Sequence, residues 1–306
     1  MVLQILLGIA DVLVRDDAGG ALFDDRVEKL EMHTGAYSLR SESGDDRRCI
    51  RRDPVLFFGT LPTVHDDAFC IRVWDWSETS QTVSLFCRAH GVVRGLAKGA
   101  KRDDARFSGG FELFTRGQVG LILKSTDAMA TLTAWDLTET FTGARANLSA
   151  FYAAMAMLDL VHHMIRDHDP HPVLFDALAS SANKLSKADR ALGTLAGFLW
   201  EVLVESGYRP ELERDVRSSE SLDLSAPLAF DARLGGFTRW EKGAADEGWR
   251  VRPQTLEVLR ALALRPHALA PSDDLLRAAK LLSAYVRETA GGPIPSVDGA
   301  MRAFSV

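Results

Sequence analysis

The chain has 306 residues, 46% of them hydrophobic and 25% charged, with a formal net charge of -6. That balance excludes a protein that holds nucleic acid over its whole surface, yet it leaves room for a local basic field. Three cysteines, Cys49, Cys70 and Cys87, are too few for a disulfide framework or a four-thiolate zinc site and point to a reducing cytoplasm.

The opening run MVLQILLGIADVLV is apolar, but Asp11 interrupts it and no basic region precedes it. It is too short to span a bilayer and reads as neither secretion signal nor membrane anchor. Residues 1 to about 64 are irregular, with mixed-charge runs such as DDRVEK and GDDRRCIRRD. From Phe69 to about Thr142 the texture becomes strand-like. FCIRVWDW, QTVSLFC, VVRGLAKG, QVGLILK and TLTAWDL are five short apolar or alternating runs separated by polar or glycine-bearing breaks. Five strands at that spacing suit a small closed barrel of the OB type.

After Arg145 the period turns helical. Asn147 or Ser149 is placed to cap a helix whose apolar stripe would be Phe151, Met155, Leu158, Val161 and Ile165. PVLFDALASSANKL and ADRALGTLAGFLWEVLVESG predict two more helices, the second closed by Gly207. Residues 211–250 lose periodicity, and two last helices are expected from Gln254 to Leu264 and from Ser272 to Thr289.

Catalysis has no foothold in this pattern. There is no Walker A loop, nucleophile elbow, HExxH or dinucleotide fingerprint. Adjacent acid pairs such as Asp16-Asp17 and Asp273-Asp274 read as solvated surface or helix caps. His162, His163, His168 and His171 match no common metal-ligand spacing.

One stretch does suggest a function. Between Arg88 and Arg116 there are seven Lys or Arg against three acids. In an extended HGVVRGLAKGAKR segment, Arg94, Leu96 and Lys98 share one face, and Val93, Gly95 and Ala97 the other. Small residues between the cations would let a phosphate backbone approach, and Lys101, Arg102 and Arg106 extend the charge along the next loop. A solvated barrel edge that discourages strand pairing accounts for the charge equally well. Trp74 and Trp76 share a face and have the chemistry to stack on bases, although aromatics of a small barrel are commonly core. Phe107, in a polar glycine-rich loop, is the better stacking candidate.

The string ETSQTVSLFCRAHGVVRGLAKGAKRDDARFSGGFELFT resembles the bacterial recombination mediator family RecO, in which an E-T-S strand start leads to H-G and a V-R-G-x-A-K-G-A-R run. NLSAFYAAMAMLDLVHHMI, HPVLFDAL and FLWEVLVESGYRPEL continue the similarity through about residue 290. The resemblance implies an α+β multidomain chain: an OB-fold DNA-binding domain over 65–142, then an α-helical domain over 143–306 with an insert at 211–250. It implies a non-enzymatic role in homologous-recombination repair, in the RecF pathway. The expected activities are single- and double-stranded DNA binding, strand annealing, and help in loading recombinase. The implied partners are a RecR-like protein and the C-terminal tail of the single-stranded DNA-binding protein, with a cytoplasmic, nucleoid-associated setting. Carried over by position, Arg94, Lys98, Lys101 and Arg102 are DNA contacts, with Arg88 and Arg106 at the flanks.

The chain departs from that family in two places. The family begins close to Val64, so residues 1–64 are expected to be an appendage or an upstream reading of the frame, with a genuine added domain as the competing idea. RecO-like inserts carry two C-x-x-C pairs that hold zinc, whereas here Asp215, Ser218, Arg239 and Lys242 stand at those positions. Arginine and lysine repel a cation, so a degenerate, metal-free finger is expected. An ion pair from Asp215 to Arg239 or Lys242, with packing by Leu224, Leu228, Phe230, Phe237 and Trp240, would hold it. The reading is a DNA-binding mediator with no cofactor. Its rival is an interaction scaffold of the same pathway that has lost strong DNA binding.

Overall fold

The computed structural model describes residues 62–305 except 103–105, 109, 124–128, 146, 186–189, 242, 244–247 and 267. The expectations placed on residues 1–61, including Cys49, and on Lys242 lie outside the described residues.

Among the described residues, six strands build the barrel: β1 (Val64–Asp75), β2 (Gln81–Cys87), β3 (Gly91–Ala97), β4 (Phe107–Ser108), β5 (Thr115–Ile122) and β6 (Ala130–Glu139). Five are long. β4 is a two-residue strand that pairs Phe107 with Trp135. β1 is antiparallel to both β2 and β5, β2 to β3 and β5 to β6, and a parallel pairing of Gly95 with Ala130 and Leu96 with Thr131 closes the ring. This is the five-stranded OB-type barrel that the run spacing predicts. Gly95 packs tightly at this closure, because a Cβ there would lie 2.6 Å from the Leu132 side chain and force it to shift.

The barrel is buried on two sides, which explains why its strands read as near-continuous apolar runs. Cys70, Val83, Leu85, Val93, Val119, Leu121 and Trp135 fill its interior. Phe69, Ile71, Phe86, Val92 and Phe114 point outward and join the core of the helices. Phe69 stacks on Phe141 at 5.5 Å and meets Phe175 edge-on at 5.1 Å, so an aromatic seam ties the two parts together. Arg72 pairs with Asp159 at 2.5 Å across that seam. Arg116 is held by Asp67 and lies over the Phe175 ring at 5.5 Å.

Among the described residues, a 3-10 turn (Thr142–Arg145) leads into six helices: α1 (Leu148–Met164), α2 (Pro172–Lys184), α3 (Ala191–Glu205), α4 (Pro253–Leu264), α5 (Asp273–Thr289) and α6 (Pro295–Ala303). Asn147 caps α1 by accepting the Ala150 N–H at 2.8 Å, and Ser272 caps α5 through Leu275 N–H at 3.1 Å. The stripe on α1 is the expected one only in its second half, where Leu158, Val161 and Ile165 are buried. Phe151 is 43% exposed, and the buried face runs through Ala150, Ala153, Ala154, Met157, Leu158 and Val161. Alanines let neighbouring helices approach closely, and a count of large apolar residues alone misses the first turns of the face, where Ala150, Ala153 and Ala154 are buried. α6 has nine residues with Gly299 among them, too short for a period to show in sequence.

The insert is not irregular. β7 (Leu228–Asp231) pairs antiparallel with β8 (Gly236–Arg239) and with β9 (Trp249–Val251). Phe230 packs against Phe237 at 5.3 Å, Trp249 at 5.8 Å and Tyr285 of α5 at 5.0 Å. Leu228, Phe230 and Phe237 are buried as expected, but Trp240 lies under the Arg250 guanidinium at 4.7 Å. The expected Asp215–Arg239 ion pair is replaced: the Asp215 carboxylate accepts the backbone N–H of Arg239 at 2.7 Å.

Cys70 and Cys87 sit inside the barrel, where burial pushes both thiols well above their ordinary pKa. Because the thiolate is the reactive form, neither is expected to be alkylated by iodoacetamide in native protein at neutral pH. Peptide mass mapping before and after denaturation checks this, and native labelling at either position would contradict the barrel interior.

Candidate nucleic-acid interface

The basic run is divided by the fold into two groups. β3 turns Arg94 and Leu96 outward and buries Val93, Gly95 and Ala97, the alternation expected of an extended segment. The two ends of the run meet different surroundings. At the start of the run, Arg88 makes two hydrogen bonds to Asp176 on α2, Nε at 3.1 Å and Nη2 at 2.8 Å. That contact holds the Arg88 guanidinium above, and the Asp176 carboxyl below, their ordinary ranges. Arg94 Nε lies 3.2 Å from Asp167, in the segment that follows α1. These two cations face the helices and have counter-charges.

At the far end of β3 the picture changes. Lys98 and Arg102 are exposed and, among the described residues, neither has an ion-pair partner. Lys101 is held by Asp75 at 2.6 Å. The loop carrying them is fastened to the β1–β2 turn by Lys101 N–H on Thr79 O at 3.1 Å, and is closed on itself by Arg102 N–H on Gly99 O at 2.9 Å. Gly99 N–H donates to Ser80 Oγ at 3.2 Å. Gly99 has a φ of +77°, a left-handed turn that favours glycine. The turn itself is closed by Trp76 N–H on Ser80 O at 3.1 Å.

That fastening places Trp76 over a groove of about 410 Å³ lined by Trp76, Ser80, Lys98, Gly99, Arg102 and Arg106. Trp76 is 66% exposed, and Trp74, near the end of β1, is 48% exposed. A flat aromatic face beside cations is the arrangement that holds a stacked base and its phosphate.

Phe107 does not take part as expected. Its side chain is only 4% exposed and packs inside the barrel 5.9 Å from Phe111. Trp135 N–H donates to Arg106 O at 2.8 Å, which turns Arg106 outward and Phe107 inward. The tryptophans discounted as core are the exposed rings, and the phenylalanine in a polar loop is core. Gly91 and Gly95 also serve packing rather than phosphate approach, since a Cβ on Gly91 would lie 2.3 Å from Asp169 O. The acids that partner the first cations, Asp167 and Asp176, were not singled out from sequence, because their distance from the barrel strands hides the pairing.

The histidines form no metal centre, and no group of three potential ligands gathers among the described residues. His162 is held below its ordinary pKa by burial first, then by Arg72, His163 and Arg94. His171 bridges Asp169 at 3.3 Å and Glu205 at 3.6 Å. No described helix is long and apolar enough to cross a membrane.

Two family models match this architecture part by part. Residues 61–141 match the model described as recombination protein O N terminal, and residues 145–298 match recombination protein O C terminal. The division falls between the barrel and the first helix. A protein named DNA repair protein RecO from Myxococcus xanthus is 30% identical over 237 residues, 76% of this chain and 95% of that protein. Its namesake from Rhodopirellula baltica is 29% identical over 207 residues, 67% of this chain and 76% of that one. A third, from Geobacter metallireducens, is 30% identical over 175 residues, 57% and 69% of the two chains. With both halves matched in order, and a relative of this identity aligned over almost its whole length, the chain belongs to the recombination protein O (RecO) family.

Proposed function

We propose that this chain is a DNA-binding recombination mediator in homologous-recombination repair, acting by binding rather than by catalysis. It captures single- and double-stranded DNA through backbone phosphates, anneals complementary strands, and helps load recombinase onto coated single strands. A RecR-like protein and the tail of the single-stranded DNA-binding protein are its partners, and the cytoplasmic nucleoid is its setting. The observation that carries this reading is the groove in which Lys98 and Arg102, without counter-charges among the described residues, flank the exposed Trp76. Lys101 and Arg106 stand beside it. Phosphate contact there would release counterions, so affinity should fall steeply with salt.

The scaffold alternative gains some support from Arg88 and Arg94, whose charges are spent on Asp176 and Asp167. A fluorescence-anisotropy titration of an unstructured single strand at two salt concentrations separates the two readings. Wild-type protein is expected to bind at low salt and to weaken at high salt. Trp76→Ala should reduce single-strand affinity by about 1–3 kcal/mol and change duplex affinity little, because duplex bases are already stacked. Absence of salt-sensitive binding by the wild type would leave the scaffold reading.

A further inference from the structure

We infer that the insert is locked by a hydrogen-bond knot centred on the Asp215 carboxylate, which takes the structural place of a metal and leaves no cation site. Asp215 is 8% exposed, and both its oxygens are used. Oδ1 accepts the N–H groups of Arg217 at 2.8 Å and Ser218 at 3.1 Å. Oδ2 accepts the N–H of Arg239 at 2.7 Å, and the Thr238 hydroxyl lies 3.0 Å from each oxygen. The carboxylate therefore reaches from its own turn to the end of β8, the two points that paired thiolates and a metal would join.

A second carboxylate repeats the device. Asp231 Oδ1 accepts the N–H groups of Arg233 at 3.0 Å and Leu234 at 3.1 Å, organising the β7–β8 turn. Its Oδ2 receives the Arg217 guanidinium, Nη2 at 2.7 Å and Nε at 3.2 Å. Arg217 thus donates its amide to Asp215 and its side chain to Asp231, and links the two turns. Backbone bonds from Val216 N–H to Phe237 O at 2.9 Å and from Asp215 N–H to Glu220 O at 2.8 Å complete the tie.

The donor chemistry rules against a cation at this place. Three amide N–H dipoles and a hydroxyl converge on Asp215 with their positive ends inward, which forms a receptor for an anion. A metal would have to displace charge-assisted hydrogen bonds from a nearly buried carboxylate. Arg239 offers a guanidinium where a thiolate is required, and Ser218 offers only a hydroxyl. Burial opposes ionisation of Asp215, but the amides of Arg239, Arg217 and Ser218 outweigh it and hold the carboxyl below its ordinary range. With no thiolate in the lock, oxidation has no ligand to attack.

The full chain tests this by amide hydrogen exchange and metal analysis. Wild-type protein purified with zinc present should hold far less than one zinc per chain, and chelator should leave the amides of Arg217, Ser218 and Arg239 equally protected. Asp215→Ala should speed exchange at those amides by about tenfold or more, with Val93 in the barrel unchanged. If Asp215→Ala does not fold, Asp215→Asn decides: its one remaining acceptor oxygen should leave some of these amides protected and expose the others. Stoichiometric zinc whose removal loosens the insert would overturn the inference. So would unchanged exchange in whichever variant is read.

Discussion

Gly91→Ala is expected to destabilise the protein by about 3 kcal/mol or more, whereas Gly207→Ala should cost about 1 kcal/mol. Both glycines have left-handed φ values, +67° and +84°. The conformational strain of adding a Cβ is therefore similar at the two positions. Their surroundings differ. Gly207 ends α3 in open space, with no foreign atom within 4 Å of where a Cβ would stand, while a Cβ on Gly91 would lie 2.3 Å from Asp169 O and 2.5 Å from Asp169 N. Backbone cannot swing aside as a flexible side chain does. Accommodation would have to pull residues 167–169 away from β3. That would break the bridge between Val92 and Asp167 and the His168 N–H bond to Val92 O at 2.9 Å. It would also disturb the turn held by Asp66, which accepts Ala89 N–H at 2.9 Å and contacts His90 Nδ1 at 2.7 Å. Urea midpoints at a common m-value measure the difference. Equal losses from the two substitutions would show that the contact with Asp169 is not tight.

The histidine and glycine that open the basic run are therefore architectural, and this shows where the sequence was readable. The barrel could be read because its strands carry their own signal, five runs separated by polar breaks, and the helix starts at Asn147 and Ser272 carry theirs as cap residues. The three-stranded sheet of the insert could not, because strands of three or four residues show no period and their pairing is set by Asp215, Asp231 and Phe230 across the chain. The first turns of the α1 face were hidden because alanine, not a large residue, marks where helices approach there, while Leu158, Val161 and Ile165 were legible. In the candidate interface, residue type predicted the charge but not its use. Arg88, Arg94, Lys98 and Arg102 look alike in sequence, and only the position of Asp176 and Asp167 tells the paired cations from the others. Aromatic exposure depended on tertiary detail too, since a two-residue strand turns Phe107 inward and a backbone-closed turn leaves Trp76 outside.

The division of the cations makes the last prediction specific. Lys98→Glu with Arg102→Glu is expected to weaken binding of unrelated single strands alike by about 10- to 100-fold at moderate salt, and to reduce the slope of log affinity against log salt by about 1 to 2. Both side chains are exposed at the groove mouth, away from the barrel interior, so surface reversal there should leave the unfolding midpoint nearly unchanged. Arg88→Gln with Arg94→Gln should behave in the opposite sense. Those guanidiniums contact Asp176 at 2.8 Å and Asp167 at 3.2 Å, so each already has an anionic neighbour that lowers its gain from a phosphate. Neutralising them should change DNA affinity by no more than about threefold and lower stability slightly, as expected for exposed ion pairs. Anisotropy titrations of the two double variants at matched salt, with urea midpoints as the folding control, give the comparison. An equal loss of affinity in both would mean that DNA takes Arg88 and Arg94 from the helices. A loss confined to the Arg88 and Arg94 variant would move the interface to the seam between barrel and helices and remove Trp76 from it.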